Sequence, residues 1–146
     1  MGYGYGLWYI LDNNTITTLS GHIPHVTLKC NMSYEDATKL YRELVYKGLR
    51  DIIFHMCREP ITFSKMYSND LFAGWGYYVI MKPMVYLQCQ LYSEKYKGDF
   101  SELPHMTMQY NGLNMQPYMG RTHLNGKLVI ADIRDDDPKK WVCWTR

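Results

Sequence analysis

The fold is decided by a five-residue stretch that the chain carries twice. It reads Pro24-His25-Val26-Thr27-Leu28 in the first half and Pro104-His105-Met106-Thr107-Met108 in the second. Both copies follow the order Pro-His-apolar-Thr-apolar, in which polar and apolar residues alternate. A period of two is typical of a strand with one buried face. Each copy therefore predicts a strand that begins at its proline, where the missing N–H is tolerated.

Strand geometry determines which side chains of the motif lie together. Successive side chains of a strand point to opposite faces of the sheet. In the first copy His25 and Thr27 share one face, and Val26 and Leu28 anchor the other in a core. The second copy has the same arrangement. Two such strands side by side would bring two imidazoles and two hydroxyls together on one face.

These four groups suit phosphoryl chemistry without a metal. With an unperturbed pKa of about 6.5, one histidine can be neutral and accept a proton while the other is protonated and donates one. Threonine hydroxyls can donate hydrogen bonds to the non-bridging phosphate oxygens. The sequence predicts a metal-independent, cofactor-free phosphoesterase with the catalytic residues His25, Thr27, His105 and Thr107. Which histidine is the acid stays open. The plainer alternative is an α+β domain with two incidental repeats.

Outside the motifs, the apolar spacing predicts two helices. Ser33 is typical of a helix N-cap and Gly48 of a helix end, with apolar residues at helical spacing between them. A second helix is predicted to begin at Pro83 and to end at Gly98. Its apolar face would consist of Met84, Leu87, Leu91 and Tyr92.

Most of the remaining chain predicts strands. The first, Tyr3 to Leu11, ends at the turn cluster Asp12-Asn13-Asn14. The order of the elements predicts a single α+β domain over residues 1–146, with helices packed on a mostly antiparallel sheet. The segment from Asn111 to Asn125 is rich in Gly, Asn and Pro and predicts no helix.

The composition limits the classes of partner that the protein is expected to bind. The formal net charge of +2 is too small for bulk binding to long duplex nucleic acid, but it is compatible with a small anionic ligand in a pocket. No signal peptide and no stretch of transmembrane length is recognisable, and the four cysteines form no zinc or redox pattern. We therefore expect a cytoplasmic protein that does not bind membranes. The oligomeric state stays open.

Four further residues are candidates for binding substrate. Lys29 shares the face of His25 and Thr27 if the strand alternates regularly, so its ammonium could reach a phosphate. Tyr5 lies in the first strand, which should border the site, and could stack on a base. Tyr118 and Arg121 lie in the Gly-rich segment and are candidates for stacking and for phosphate binding.

The paired motif resembles the signature of the two-histidine (2H) phosphoesterase superfamily, the LigT-like or 2′-5′ RNA ligase-like proteins. The resemblance implies a bilobal, pseudo-twofold fold in which antiparallel sheets form a central groove with helices packed outside. It also implies that His25 and His105 are acid and base, and that Thr27 and Thr107 hold the phosphate. Members of the superfamily act on 2′-5′ linkages, 2′,3′-cyclic phosphates and cyclic dinucleotides.

One departure from the superfamily bears on the substrate. Members usually carry a helix soon after the second motif, whereas this chain has the Gly-rich segment there. Trimmed lobes resemble those of viral members, several of which destroy host immune messengers such as cGAMP or 2′-5′ oligoadenylate. We therefore expect cleavage of a small signalling nucleotide in the cytosol, of the host if the protein is viral. The alternatives are processing of RNA 2′,3′-cyclic phosphate ends and a nucleotide-binding sponge without turnover.

Overall fold

The computed structural model describes residues 2–12, 15–67 and 70–145, and the side chains of these residues outside 64–72. The predicted turn at Asn13 and Asn14 lies outside the described residues. The fold is mixed α+β, as predicted. Its elements are β1 (Tyr5–Leu11), β2 (His25–Met32), α1 (Tyr34–Tyr46), β3 (Asp51–Tyr67), β4 (Asp70–Met81), α2 (Pro83–Ser93), β5 (Asp99–Phe100), β6 (His105–Tyr110), β7 (His123–Asp132), a 3-10 turn (Pro138–Lys140) and β8 (Val142–Trp144).

The strands form one antiparallel sheet that closes on itself. Its order is β1-β2-β6-β4-β3-β7-β8, and β1 also pairs with β7, so six strands make a closed, barrel-like ring. The short strand β5 pairs with β2, outside the ring. Each of the six ring strands contributes to the same buried apolar cluster, which is therefore the interior of the ring. Representative members are Leu7, Val26, Phe54, Tyr77, Met106 and Leu128.

Helix α1 follows its sequence prediction closely. The Ser33 hydroxyl accepts a hydrogen bond from the Asp36 amide at 3.1 Å, which caps the first turn. The helix packs its apolar face on the interior cluster through Ala37, Leu40, Tyr41 and Leu44. Gly48, with φ of +79°, follows the last turn in the left-handed conformation that glycine favours.

The apolar face predicted for α2 is wrong for three of its four members, and the fourth, Tyr92, is partly buried against the core. Its predicted members Met84, Leu87 and Leu91 are 56–66% exposed, and the helix ends at Ser93. The helix instead buries Cys89 and Ser93. The sheet presents polar groups there, because the Tyr9 hydroxyl lies 3.7 Å from the Cys89 sulfur and the Lys29 ammonium bonds to the Ser93 carbonyl. Val85, Tyr86 and Tyr92 of the helix are partly buried against the same apolar cluster as Cys89.

Two further observations concern the rest of the chain. Residues 111–122 contain no helix, as the Gly-rich composition predicts. No helix within the described ranges has both the length and the apolar character needed to cross a membrane.

Candidate active site

A single register position brings the two motifs together. Val26 of β2 pairs with Met106 of β6 in antiparallel orientation, and both side chains are fully buried in the interior. The residues on either side of this pair therefore face the outside of the ring. His25 lies across from Thr107, and Thr27 lies across from His105. The two histidines are diagonal neighbours, whose Cα atoms are about 7–8 Å apart in such a pair.

Both imidazoles are held by the same local hydrogen bond. The ring nitrogen Nδ1 of His25 bonds to the Ile23 carbonyl at 2.7 Å, and Nδ1 of His105 bonds to the Leu103 carbonyl at 2.9 Å. A carbonyl can only accept, so Nδ1 carries a hydrogen in both rings. Proton exchange with a ligand then falls to Nε2. The motif proline lies between the acceptor and the histidine, and its fixed φ shapes the turn that permits the bond.

The surroundings of the two imidazoles differ. His25 is 4% exposed and lies flat on the Trp8 indole, with ring centroids 3.7 Å apart and 12° between planes. Burial lowers its pKa to about 3, and the nearby His22 and His105 act in the same direction. His105 is half-buried against Phe63, whose ring centroid lies 4.9 Å away. His25 is thereby held neutral at neutral pH.

The four motif residues open onto one cavity of about 330 Å³ on the outer face of the ring. That volume is at the lower end of the range for small-molecule sites. Aromatic side chains dominate its wall, and Asp99 and Ser101 supply polar groups. The aromatic lining residues are Tyr3, Trp8, Phe63, Phe100, Tyr110 and Trp141. Such a wall can stack on nucleobases while the two histidines and two threonines hold a phosphate.

Strand β4 supports the second motif from the other side. Gly76 pairs with Thr107, and a Cβ at Gly76 would collide with the Met106 carbonyl. Only glycine therefore lets β4 approach β6 this closely. Thr107 itself is 5% exposed, so its backbone position is fixed by neighbours on both sides.

The prediction that Lys29 shares the face of His25 and Thr27 is wrong. Leu7 of β1 pairs with Lys29, but the next residue, Trp8, pairs with Thr27, so Leu28 is an extra residue on β2. This β-bulge reverses the alternation beyond Thr27. The Lys29 ammonium instead donates to the Ser93 and Tyr96 carbonyls, both at 2.6 Å. It satisfies carbonyls at the end of α2 and does not line the cavity.

The other three predicted substrate-binding residues also lie away from this cavity. Tyr5 packs edge-on against Tyr34, and the Arg134 guanidinium lies 4.7 Å from its ring centroid. Tyr118 and Arg121 line a different cavity, of about 680 Å³. The Tyr118 hydroxyl donates to the Arg121 carbonyl there. Met108 of the second motif also lines that cavity, from the face of β6 opposite His105 and Thr107.

Sequence reasoning missed several residues of the site. Trp8 lies on the face of β1 opposite Tyr5, and the site lies on the Trp8 face. The signal was available, since Leu7 and Tyr9 are the apolar neighbours that anchor the interior. Phe63 and Trp141 come from distant segments and left no local signal. His22, in the loop before the first motif, is buried beside His25, with ring centroids 5.8 Å apart.

Metal ligands are not grouped here. Within the described part of the chain, no three His, Cys, Asp or Glu side chains are close enough together to hold a metal ion. Comparison of the chain with family models and with curated proteins gave no match.

Proposed function

We propose that this chain is a metal-independent nucleotide phosphodiesterase of the two-histidine type. The observation that carries the proposal is the matched pair of imidazoles on one face of the β2–β6 junction. Each donates from Nδ1 to the carbonyl two residues earlier, and each lies across from the threonine of the other motif. Two imidazoles that both offer Nε2 to one cavity can serve a single phosphate as base and acid.

The reaction follows from these positions. A ribose hydroxyl or a water attacks the phosphorus in line with the leaving oxygen and loses its proton to Nε2 of one histidine. The P–O bond to the leaving group breaks, and Nε2 of the other histidine donates a proton to that oxygen. The hydroxyls of Thr27 and Thr107 donate to the non-bridging oxygens, where negative charge grows in the transition state.

The environments favour His25 as the base and His105 as the acid. His25 is buried and its pKa is low, so it enters the reaction neutral. The face of Trp8 keeps the ring in plane and excludes water from it while it accepts the proton. His105 is more exposed and can exchange its proton with solvent between turnovers.

In this proposal the fold is the bilobal, pseudo-twofold arrangement of the 2H phosphoesterases. An antiparallel pair has a local twofold axis, and here that axis passes between Val26 and Met106. The halves that carry β2 and β6 would be the two lobes, and the cavity between them the groove. Support comes from α1, whose apolar face joins the buried cluster that contains Val26 and Met106, opposite the histidines.

The proposed substrate is a small signalling nucleotide, either a cyclic dinucleotide such as cGAMP or 2′-5′ oligoadenylate. The aromatic wall supports a ligand with bases next to the scissile phosphate. The size of the cavity supports one that is short. Cleavage of such a messenger in the host cytosol would block immune signalling.

The experiment is a turnover screen in EDTA with cyclic dinucleotides, 2′-5′ oligoadenylate and 2′,3′-cyclic nucleotides. Wild type is compared with His25→Ala and His105→Ala, and with His123→Ala as the matched control outside the cavity. We expect wild type and control to cleave a messenger, and each motif variant to lose about 10²–10⁴-fold in kcat.

Other outcomes separate the rival functions. Cleavage of 2′,3′-cyclic nucleotides alone would assign RNA end processing. Tight binding with no product would assign a sponge. Activity that EDTA abolishes would overturn the metal-free mechanism.

A further inference from the structure

A segment before the first motif completes the edge of the second motif strand. Strands β2 and β6 pair only at Val26 and Met106. Further along β6, the partners come from residues 18–22. The Leu19 amide donates to the Met108 carbonyl at 2.8 Å, and the Tyr110 amide donates to the Ser20 hydroxyl at 2.7 Å.

His22 makes the contact nearest to the proposed catalytic groups. Its Nε2 bonds to the Thr107 carbonyl at 2.9 Å, so Nε2 carries the hydrogen of the neutral ring. Gly21, with φ of +74°, and a hydrogen bond from the Thr18 hydroxyl to the His22 carbonyl at 2.7 Å set the turn that delivers the ring. The Thr107 backbone is thereby tied to the chain just before His25.

The same ring borders His25 directly. The His22 and His25 rings meet edge to face with centroids 5.8 Å apart, and Tyr110 packs on the other side at 4.8 Å. His22 is 4% exposed, and burial lowers its pKa to about 4, so it is neutral at neutral pH. In the proposed reaction His22 stays neutral, and His25 is the histidine that accepts the proton.

A histidine at position 22 is energetically unfavourable if its role is packing alone. Its Nδ1 is buried and has no hydrogen-bond partner among the described residues. An unsatisfied buried acceptor destabilises a fold, and a phenylalanine of similar shape would avoid that cost. The bond from Nε2 to Thr107 is what phenylalanine could not supply.

We infer that His22 is a positioning residue, which holds Thr107 and the His25 ring in register across the β2–β6 junction. It acts through the Thr107 carbonyl and the His25 ring and does not itself exchange a proton with substrate. This role rests on the proposed phosphodiesterase reaction, in which Thr107 and His25 act on the same phosphate.

The test compares His22→Phe with His22→Gln on the substrate that the wild type cleaves. Phenylalanine keeps the ring contacts but cannot bond to Thr107, whereas glutamine can still donate an N–H. We expect His22→Phe to lower kcat about 10–100-fold with little change in KM, because displaced catalytic groups act mainly on the chemical step. We expect His22→Gln to recover most of this loss.

Two controls distinguish a loss of folded protein from a loss of catalytic positioning. His123→Phe replaces a histidine that also meets another ring, that of His55, and neither residue lines the cavity. It should leave kcat unchanged. Thermal unfolding of every variant shows whether the folded fraction at the assay temperature is complete. If His22→Phe does not fold, Ser20→Ala removes the neighbouring bond to Tyr110 and should lower kcat in the same direction.

The outcomes are distinct. A wild type with no turnover overturns the proposed function and this role with it. With an active wild type, an unchanged kcat in His22→Phe overturns only the role of His22. Equal losses in the phenylalanine and glutamine variants would also overturn it, since the hydrogen bond would then have no effect.

Discussion

The Trp8 indole lies parallel to the His25 imidazole, with ring centroids 3.7 Å apart and planes 12° from parallel. Trp141 stands edge-on to the same imidazole, with its ring centroid 6.0 Å away. The imidazole is therefore sealed from water on two sides and fixed in plane. The aromatic neighbour of His105 is Phe63, whose ring centroid is more distant at 4.9 Å. Two chemically identical side chains therefore have different surroundings.

Replacement of Trp8 by leucine should test this enclosure. The flat partner of His25 is lost and water enters, so the pKa of His25 should rise from about 3 towards its usual value. The smaller side chain should also lower the free energy of unfolding by about 2–3 kcal/mol. NMR titration of the His25 ring and denaturant unfolding measure the two effects. An unchanged His25 pKa would mean that Trp8 does not control its hydration.

The stability of the fold should fall on mild acidification. Burial lowers the pKa of His22 to about 4 and that of His25 to about 3, whereas both take up protons near pH 6.5 when unfolded. Their contribution is complete above pH 6.5 and is lost as the pH falls from 6.5 towards 4 and 3. Each histidine should reduce the free energy of unfolding by about 1.4 kcal/mol per pH unit there. Denaturant unfolding at pH 7, 6 and 5 measures this slope, and His22→Leu should reduce it by half.

A good leaving group should reveal which histidine is the acid. A p-nitrophenyl nucleotide diester needs no proton on its departing oxygen. We therefore expect His105→Ala to keep most of its activity on that ester while it loses activity on the natural linkage. His25→Ala should lose activity on both, because the attacking hydroxyl or water still needs a base. The reverse pattern in steady-state kinetics would exchange the two roles.

The threonine hydroxyls should act mainly in the transition state. Thr27→Val and Thr107→Val remove a donor with little change in shape, and each should lower kcat about 10²-fold or more. Thr62→Val, on the exposed part of β3, is the matched control. A loss that appears only in KM would assign the hydroxyls to ground-state binding.

Lys29 should matter for stability and not for turnover. Lys29→Met removes the ammonium that donates to the Ser93 and Tyr96 carbonyls, which should cost about 1–3 kcal/mol in the free energy of unfolding. Its kcat and KM should stay within about twofold of wild type, because the side chain lies outside the cavity. A large change in KM would instead place the ammonium near the substrate phosphate.

The sequence predicted the site correctly where the strands alternate regularly, and it failed where they do not. Alternation within each motif correctly placed His25 with Thr27 and His105 with Thr107. The same rule failed two residues later at Lys29, because a β-bulge at Leu28 inserted one residue that the sequence does not mark. For α2, the apolar pattern did not reveal which side meets the core, because the helix has apolar residues on both sides and only Val85, Tyr86, Cys89 and Tyr92 of those described pack inward.

By itself the sequence determined the local geometry, namely two strands that each present a histidine and a threonine on one face, and a capped helix after the first. These features depend on neighbours in the chain, within reach of strand and helix periodicity. Only the tertiary structure decided which distant residues enclose each imidazole. Trp8, Phe63 and Trp141 reach the cavity through ring closure and long-range pairing, and burial by such neighbours lowers the pKa of His25.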